Sequence, residues 1–344
     1  MKRLAAITVL ALAACIASAQ EVVDVYKLLV QSSAQRIDDV FNFAAQSTEA
    51  IASEYQQMRS HPATDSDSMI DTWKQMAVTQ GKTTGFRFTA DKKDHAFQAP
   101  IPAFYFYGDR PLNDAIGHQL NDLGVMAPTL EVAYKSFDFS WVYITTSSEL
   151  MVIYPFLPMS EAVNNYPPTE QIFYTCADFK NRRPGWSPPY LDLVGAGMMI
   201  SVSTPVFVED EPVAVVSRDI TLKELTESVL SLLVEAEGAI AYIVDDKGLA
   251  IDVSDPNLAQ SLEKINTQNK NAVVYYLPKE SKLWPDTRSA YPSGSSLIDE
   301  ATEAVLTSDE KSGVLHLTLQ DKEILSARIK STDWRLILLL PETQ

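Results

Sequence analysis

The sequence predicts an α+β protein, a long N-terminal helix followed by two antiparallel-sheet modules, and three observations carry that prediction. From Glu21 to His61 there is neither Gly nor Pro, and apolar residues recur at helical spacing. Beyond that stretch, short β-branched and aromatic runs alternate with polar turns, as hairpins do. The chain has 344 residues; with an N-terminal leader set aside about 325 remain, more than one hydrophobic core usually covers.

The leader comes first. Met1-Lys2-Arg3 is basic, Leu4 to Ala14 is apolar, and this run is shorter than the roughly 20 residues a spanning helix needs. Residues 1–19 read as an export signal, which predicts a periplasmic or other extracytoplasmic protein. Two cleavage schemes stay open: Ala17-Ser18-Ala19 before Gln20 suits an ordinary signal peptidase, while Leu12-Ala13-Ala14-Cys15 is a lipoprotein-like box in which Cys15 carries the lipid. In the following segment, 20–61, Val22, Tyr26, Leu29, Val30, Ile37, Val40, Phe41, Ala44, Ile51, Ala52 and Tyr55 share one broad stripe. One helix of that length is about 60 Å long and is predicted to run beside both modules.

SWVYITTSSELMVIYPF reads as two short strands around a polar turn. MMISVSTPVF and PVAVVSRDI form a second strand pair, turned at Glu209-Asp210-Glu211-Pro212. TLKELTESVLSLLVEA then switches to helical spacing, with Leu222, Leu225, Val229, Leu232 and Leu233 on one side and Thr221 as its cap. AIAYIVDDKGLAIDV is a further hairpin whose Asp245-Asp246-Lys247-Gly248 supplies a tight reversal, and the final STDWRLILLLPE is one strand.

The stretch from Asn181 to Leu225 resembles the double Cache family, extracytoplasmic sensor domains built from two PAS-like (PDC) modules behind one long helix. Trp186, Pro189-Tyr190, Asp192, the ISVSTPVF strand and the VAVVSRDITL strand with Asp219 carry the resemblance. Ala214 and Ser217 stand where the family commonly has glycines. The resemblance implies a membrane-distal ligand-binding module over 62–222 and a membrane-proximal module over 223–344. Typical members continue into a transmembrane helix and a signalling domain. Here the apolar LILLLPE is only a strand's length and the sequence ends at Gln344, so a standalone exported sensor module is expected, with a membrane-bound signalling partner and pairing of two copies through the N-terminal helix.

The resemblance also implies a pocket walled by Tyr174, Trp186 and Tyr190 and anchored by Asp192 and Asp219. Aromatic walls with two carboxylates suit an ammonium group. Packing roles for Trp186 and Tyr190, a turn-bracing role for Asp192 and a helix-cap role for Asp219 remain open. Amino-acid-binding members carry an R-x-W-Y motif whose Arg holds the ligand carboxylate; Gln171-Ile172-Phe173-Tyr174 keeps its aromatics and lacks that Arg. Arg183 is the candidate replacement, and the expected ligand is an amine or a small carboxylate.

The remaining chemistry is sparse. The net charge of −17 argues against a nucleic-acid surface. No GxSxG elbow, HExxH helix, phosphate-cradling glycine loop or CxxC pair occurs, the four histidines stand isolated, and Asp65 with Asp67 lacks the rest of a calcium loop. No cofactor, metal or enzymatic activity is expected. Cys176 has no disulfide partner once Cys15 is removed or lipidated and reads as a buried small residue. The expected function is small-molecule sensing or solute binding; the alternative is an accessory subunit whose Cache fold docks to a membrane protein without a ligand.

Overall fold

Strand alternation and helical spacing give two sheet-bearing units, one of Asn42–Glu224 and one that joins the chain up to Phe41 with Leu225–Gln344. The computed structural model describes residues 19–60, 69–88, 93–136, 141–162, 167–192, 197–234, 238–269, 272–285, 289–309 and 313–341. The leader with Cys15, and Asp65 with Asp67, lie outside the described residues. Helix α1 (Ala19–Ser60) contributes to each unit.

In the Asn42–Glu224 unit, α2 (Met69–Met76) leads into strands β1 (Ala77–Gln80), β2 (Thr83–Phe86) and β3 (Ala103–Tyr107). Helix α3 (Asp114–Ser136) is followed by the hairpin of β4 (Val142–Thr146) and β5 (Leu150–Tyr154). Short helices α4 (Met159–Ala162) and α5 (Ile172–Thr175) and two-residue strands β6 (Gly185–Trp186) and β7 (Tyr190–Leu191) precede the long hairpin of β8 (Met198–Val208) and β9 (Glu211–Thr221). The sheet runs β1-β2-β3-β5-β4-β9-β8-β6, with β7 also paired to β8.

The hairpin turn is Glu209-Asp210, both with positive φ (49° and 70°), as a two-residue loop of the mirror-image type demands. Past the turn, Val206 pairs with Ala214 but Phe207 with Pro212, a bulge that absorbs one residue. Both devices fix the register along the rest of the hairpin, where Ser201 faces Asp219 and Ser203 faces Ser217.

One face of the sheet is apolar and covered by helices: Ile51, Ala52 and Tyr55 of α1 and Leu120, Leu123 and Leu130 of α3 pack on Val142, Ile144, Val152, Ala214 and Val216. Side chains alternate along each strand, so the intervening residues occupy the opposite face. That second face mixes an aromatic cluster of Tyr105, Trp141, Tyr143, Ile153 and Phe156 with serines and one carboxylate.

Helix α6 (Leu222–Ser228) begins as expected, capped by Thr221, whose Oγ1 accepts from the Glu224 N–H at 3.3 Å. It stops earlier than the spacing predicts, passing into a 3₁₀ turn at Leu230–Leu232 that leaves Leu232 49% exposed.

The other unit holds a five-stranded antiparallel sheet in the order β11-β10-β16-β15-β14, formed by β10 (Ile240–Val244), β11 (Ala250–Val253), β14 (Val314–Leu319), β15 (Lys322–Ile329) and β16 (Trp334–Leu339). Between β11 and β14 the chain forms α7 (Pro256–Gln268), α8 (Ser296–Leu306) and the parallel pair β12 (Val273–Tyr275) and β13 (Ala290–Pro292). Ile298, Ala301 and Val305 of α8 pack against Tyr242, Val244, Ile324 and Ile337. From α1, Phe41 meets Trp334 edge to face at 5.3 Å, and the Asp38 carboxylate accepts the Ser331 N–H at 2.6 Å. Among the described residues no helix is long and apolar enough to cross a membrane.

Candidate ligand site

The polar patch on the second face of the nine-stranded sheet is centred on Asp219. Alternation in β9 sends Val216, Arg218 and Ile220 to the helix face and Ser217 and Asp219 to the other. Asp219 is 5% exposed. Three hydroxyls meet one of its oxygens: Tyr143 donates to Oδ1 at 2.9 Å, Ser201 at 2.5 Å, and Tyr190 sits at 3.4 Å. Among the described residues no hydrogen bond reaches Oδ2.

A serine cluster extends the patch. Ser187, Ser201, Ser203 and Ser217 are all fully buried. Ser203 and Ser217 both donate to the Phe173 carbonyl, at 2.6 and 3.0 Å, which fastens α5 across the sheet and brings the Phe173 ring edge-on to Tyr143 at 5.3 Å. The Ser201 N–H donates to Ser187 Oγ at 2.8 Å, tying β8 to the loop before β7.

Burial dominates the electrostatics. It pushes the Asp219 carboxyl up to about 7, with the negative charge of Asp192 acting the same way and the hydroxyl donors opposing. Tyr143 and Tyr190 are raised well above the ordinary tyrosine value by burial first and by the neighbouring Asp219 second. Cys176 lies beside the same group; burial holds its thiol at about 12, so it is no nucleophile at neutral pH.

The structure therefore brings Tyr190 and Asp219 together directly. Asp192 lies close enough to influence both, and its N–H donates to the Gly197 carbonyl at 2.9 Å. Trp186 is half-buried on β6 directly opposite Val202, so it shares the helix-covered face with Val202 and Arg218 and not the face that bears Asp219, against the expected pocket-wall role. Tyr174 is half-buried, its ring 5.7 Å from Phe179, and its hydroxyl is raised by burial and then by Glu149. Arg183 is placed elsewhere: its side chain is 69% exposed and donates to Asp178 at 2.7 Å. The hydrogen bond from the Asn181 side chain, followed by that from Arg183, lowers the Asp178 carboxyl to about 2.

Residues 131–227 match the family described as methyl-accepting chemotaxis protein-like, first PDC sensor domain. This segment resembles a PDC sensor domain. It runs from the last turns of α3 to α6 and contains every group that meets Asp219. No curated protein matches the chain. Among solved structures, it is similar to the sensory domain of the Campylobacter jejuni chemoreceptor Tlp3 with isoleucine bound, at 11% identity and a TM-score of 0.48, covering 93% of each chain. The ligand-binding domain of the Pseudomonas aeruginosa PAO1 chemoreceptor PctC with GABA aligns at 17% identity and 0.39, over 68% of this chain and 83% of that one. The Mlp24 ligand-binding domain with asparagine aligns at 18% and 0.38, over 64% and 76%.

Sequence reasoning missed the hydroxyls around Asp219. Ser201 and Ser203 stand two apart among apolar residues in β8, and Ser217 stands two before Asp219 in β9. That alternation was the available signal: buried polar residues at period 2 on paired strands form a polar stripe. Among the described residues no cluster of three or more His, Cys, Asp or Glu is arranged to hold a metal ion.

Proposed function

We propose that this chain is a small-molecule sensor acting outside the cytoplasm, and that Asp219 holds an ammonium group of its ligand. One observation carries the reading: a buried carboxylate whose Oδ1 gathers three hydroxyls while, among the described residues, no donor meets Oδ2. A buried carboxylate is costly unless something compensates its charge. An ammonium ion at Oδ2 supplies that compensation and three donors besides. Tyr190 and Tyr143 provide aromatic surface beside the cation, and Asp192 adds a second negative charge. Arg183, committed to Asp178 in solvent, takes no part. In this reading the PDC domain passes ligand occupancy to a membrane-bound partner.

The test is a thermal-shift screen of protein lacking residues 1–19 against primary amines, amino acids, short carboxylates and nucleobases. A ligand at a hundredfold over its Kd adds about 2.7 kcal/mol, which moves the transition by about 2–4 °C or more. Amines should stabilise the wild type and fail to stabilise Asp219→Ala at an unchanged fold. A full response to amines in that variant would remove Asp219 from the site, and a blank across all classes would favour the ligand-free accessory subunit.

A further inference from the structure

A second unfinished polar group lies on the same face of the sheet, at its β2 end. Along β2, Thr84 and Phe86 belong to one side, with Phe86 in the helix-covered core, so Thr83, Gly85 and the following Arg87 belong to the side that bears Asp219. Arg87 is 3% exposed. Its guanidinium is held between the Tyr105 and Phe156 rings, 5.7 Å from each centroid, and its Nε pairs with Asp94. Nη1 donates to the Phe86 carbonyl at 3.4 Å, and the guanidinium also acts on the Tyr105 hydroxyl.

Among the described residues Nη2 has no hydrogen-bond partner, and neither has the hydroxyl of Thr83, itself 2% exposed. Buried donors are ordinarily paired, so two orphans on one strand face call for an acceptor. Gly85 connects them. A Cβ built there would stand 2.7 Å from Nη1 and 2.9 Å from Nη2 of Arg87, so the guanidinium occupies the space that glycine leaves open. Thr83 follows one pleat along, about 6.7 Å away at two residues of strand rise.

We propose that Thr83, Gly85 and Arg87 form an oxyanion subsite, in which Nη2 and the Thr83 hydroxyl donate to a carboxylate or phosphate group of a small molecule. The chemistry is that of a guanidinium shared between two anions, with Asp94 on Nε and the ligand on Nη2. This subsite is distinct from the ammonium site: β3, β5, β4 and β9 follow β2 in order, so β2 and β9 lie four strand spacings apart, about 19 Å.

Binding is read by thermal shift and isothermal titration with succinate, acetate and inorganic phosphate, each against sodium chloride at equal ionic strength. Stabilisation by succinate or acetate assigns a carboxylate, and by phosphate alone a phosphate group. Arg87→Gln and Gly85→Ala should each weaken the responsive anion at least tenfold, Thr83→Val about threefold to tenfold, with any response to amines unchanged. Because Arg87→Gln strips Asp94 of its partner and could unfold the protein, Gly85→Ala and Thr83→Val are the decisive variants. No response of the wild type to any of the three anions, or a response of equal strength in both variants, overturns the proposal. An Asp219→Ala protein that keeps the anion response separates this subsite from the ammonium reading.

Discussion

Asp219 shows how burial at one residue sets a pH dependence. Its folded-state value of about 7 lies above the ~3.9 of an exposed aspartate, so folding takes up a proton between those limits. The stabilisation is complete below about pH 4 and is lost as pH rises to 7. Asp219→Asn cannot ionise, so between pH 4.5 and 7.5 the wild type should lose on the order of 2–4 kcal/mol more than the variant, measured from urea midpoints. Equal losses in the two proteins would mean that Asp219 is already ionised in the folded state. Since an ammonium ligand selects the ionised form, its affinity should rise about tenfold per pH unit up to about 7 and then level. The sequence made Asp219 and Tyr190 conspicuous through the motif they share. It did not mark Tyr143 or Ser201 as their partners, because those contacts depend on which strands pair, and β4 meets β9 across 76 residues of sequence.

At the scale of the element, β6 is secured by an absence. A Cβ on Gly185 would fall 2.0 Å from the Cys176 carbonyl oxygen and 2.9 Å from the Asp178 nitrogen, both backbone atoms that cannot swing aside. Gly185→Ala should therefore detach β6 from β8 and displace Trp186, with a cost of about 1–3 kcal/mol or more. Denaturant unfolding measures it, and a cost under about 0.5 kcal/mol would show that the loop yields freely. The hairpins were legible because their turn chemistry is local, as at Asp245, whose carboxylate accepts the Lys247 and Leu249 N–H groups at 2.8 Å. The end of α6 was not legible. Its apolar spacing continues to Leu233, yet tertiary packing takes Leu225, Val229, Leu230 and Leu233 inside and leaves Leu232 out.

Across the molecule, α1 serves two cores with one stripe. Ile37 and Phe41 are fully buried within one unit, and Ile51, Ala52 and Tyr55 pack in the other. This division separates stability from binding in a testable way. Asp38→Ala removes the acceptor of the Ser331 N–H and should cost about 1–3 kcal/mol, while the response to amines at Asp219 stays within twofold of wild type. A large change in amine affinity would contradict that separation. The long helix and the presence of two sheets were readable from glycine-free length and from chain size. Which side of the first sheet would be polar was not, since it follows from the helices that cover the apolar side.

The turn at Glu209-Asp210 and the bulge beside it act as the reading frame of β9. Neighbours on a strand point to opposite sides, so a slip of one residue there would exchange Asp219 for Arg218 and reverse the sign of the charge offered to a ligand. The carboxylate lies nine residues, about 30 Å of strand, from Asp210. Whether this surface attracts cations or anions is thus decided at a solvent-exposed hairpin tip that no ligand needs to touch.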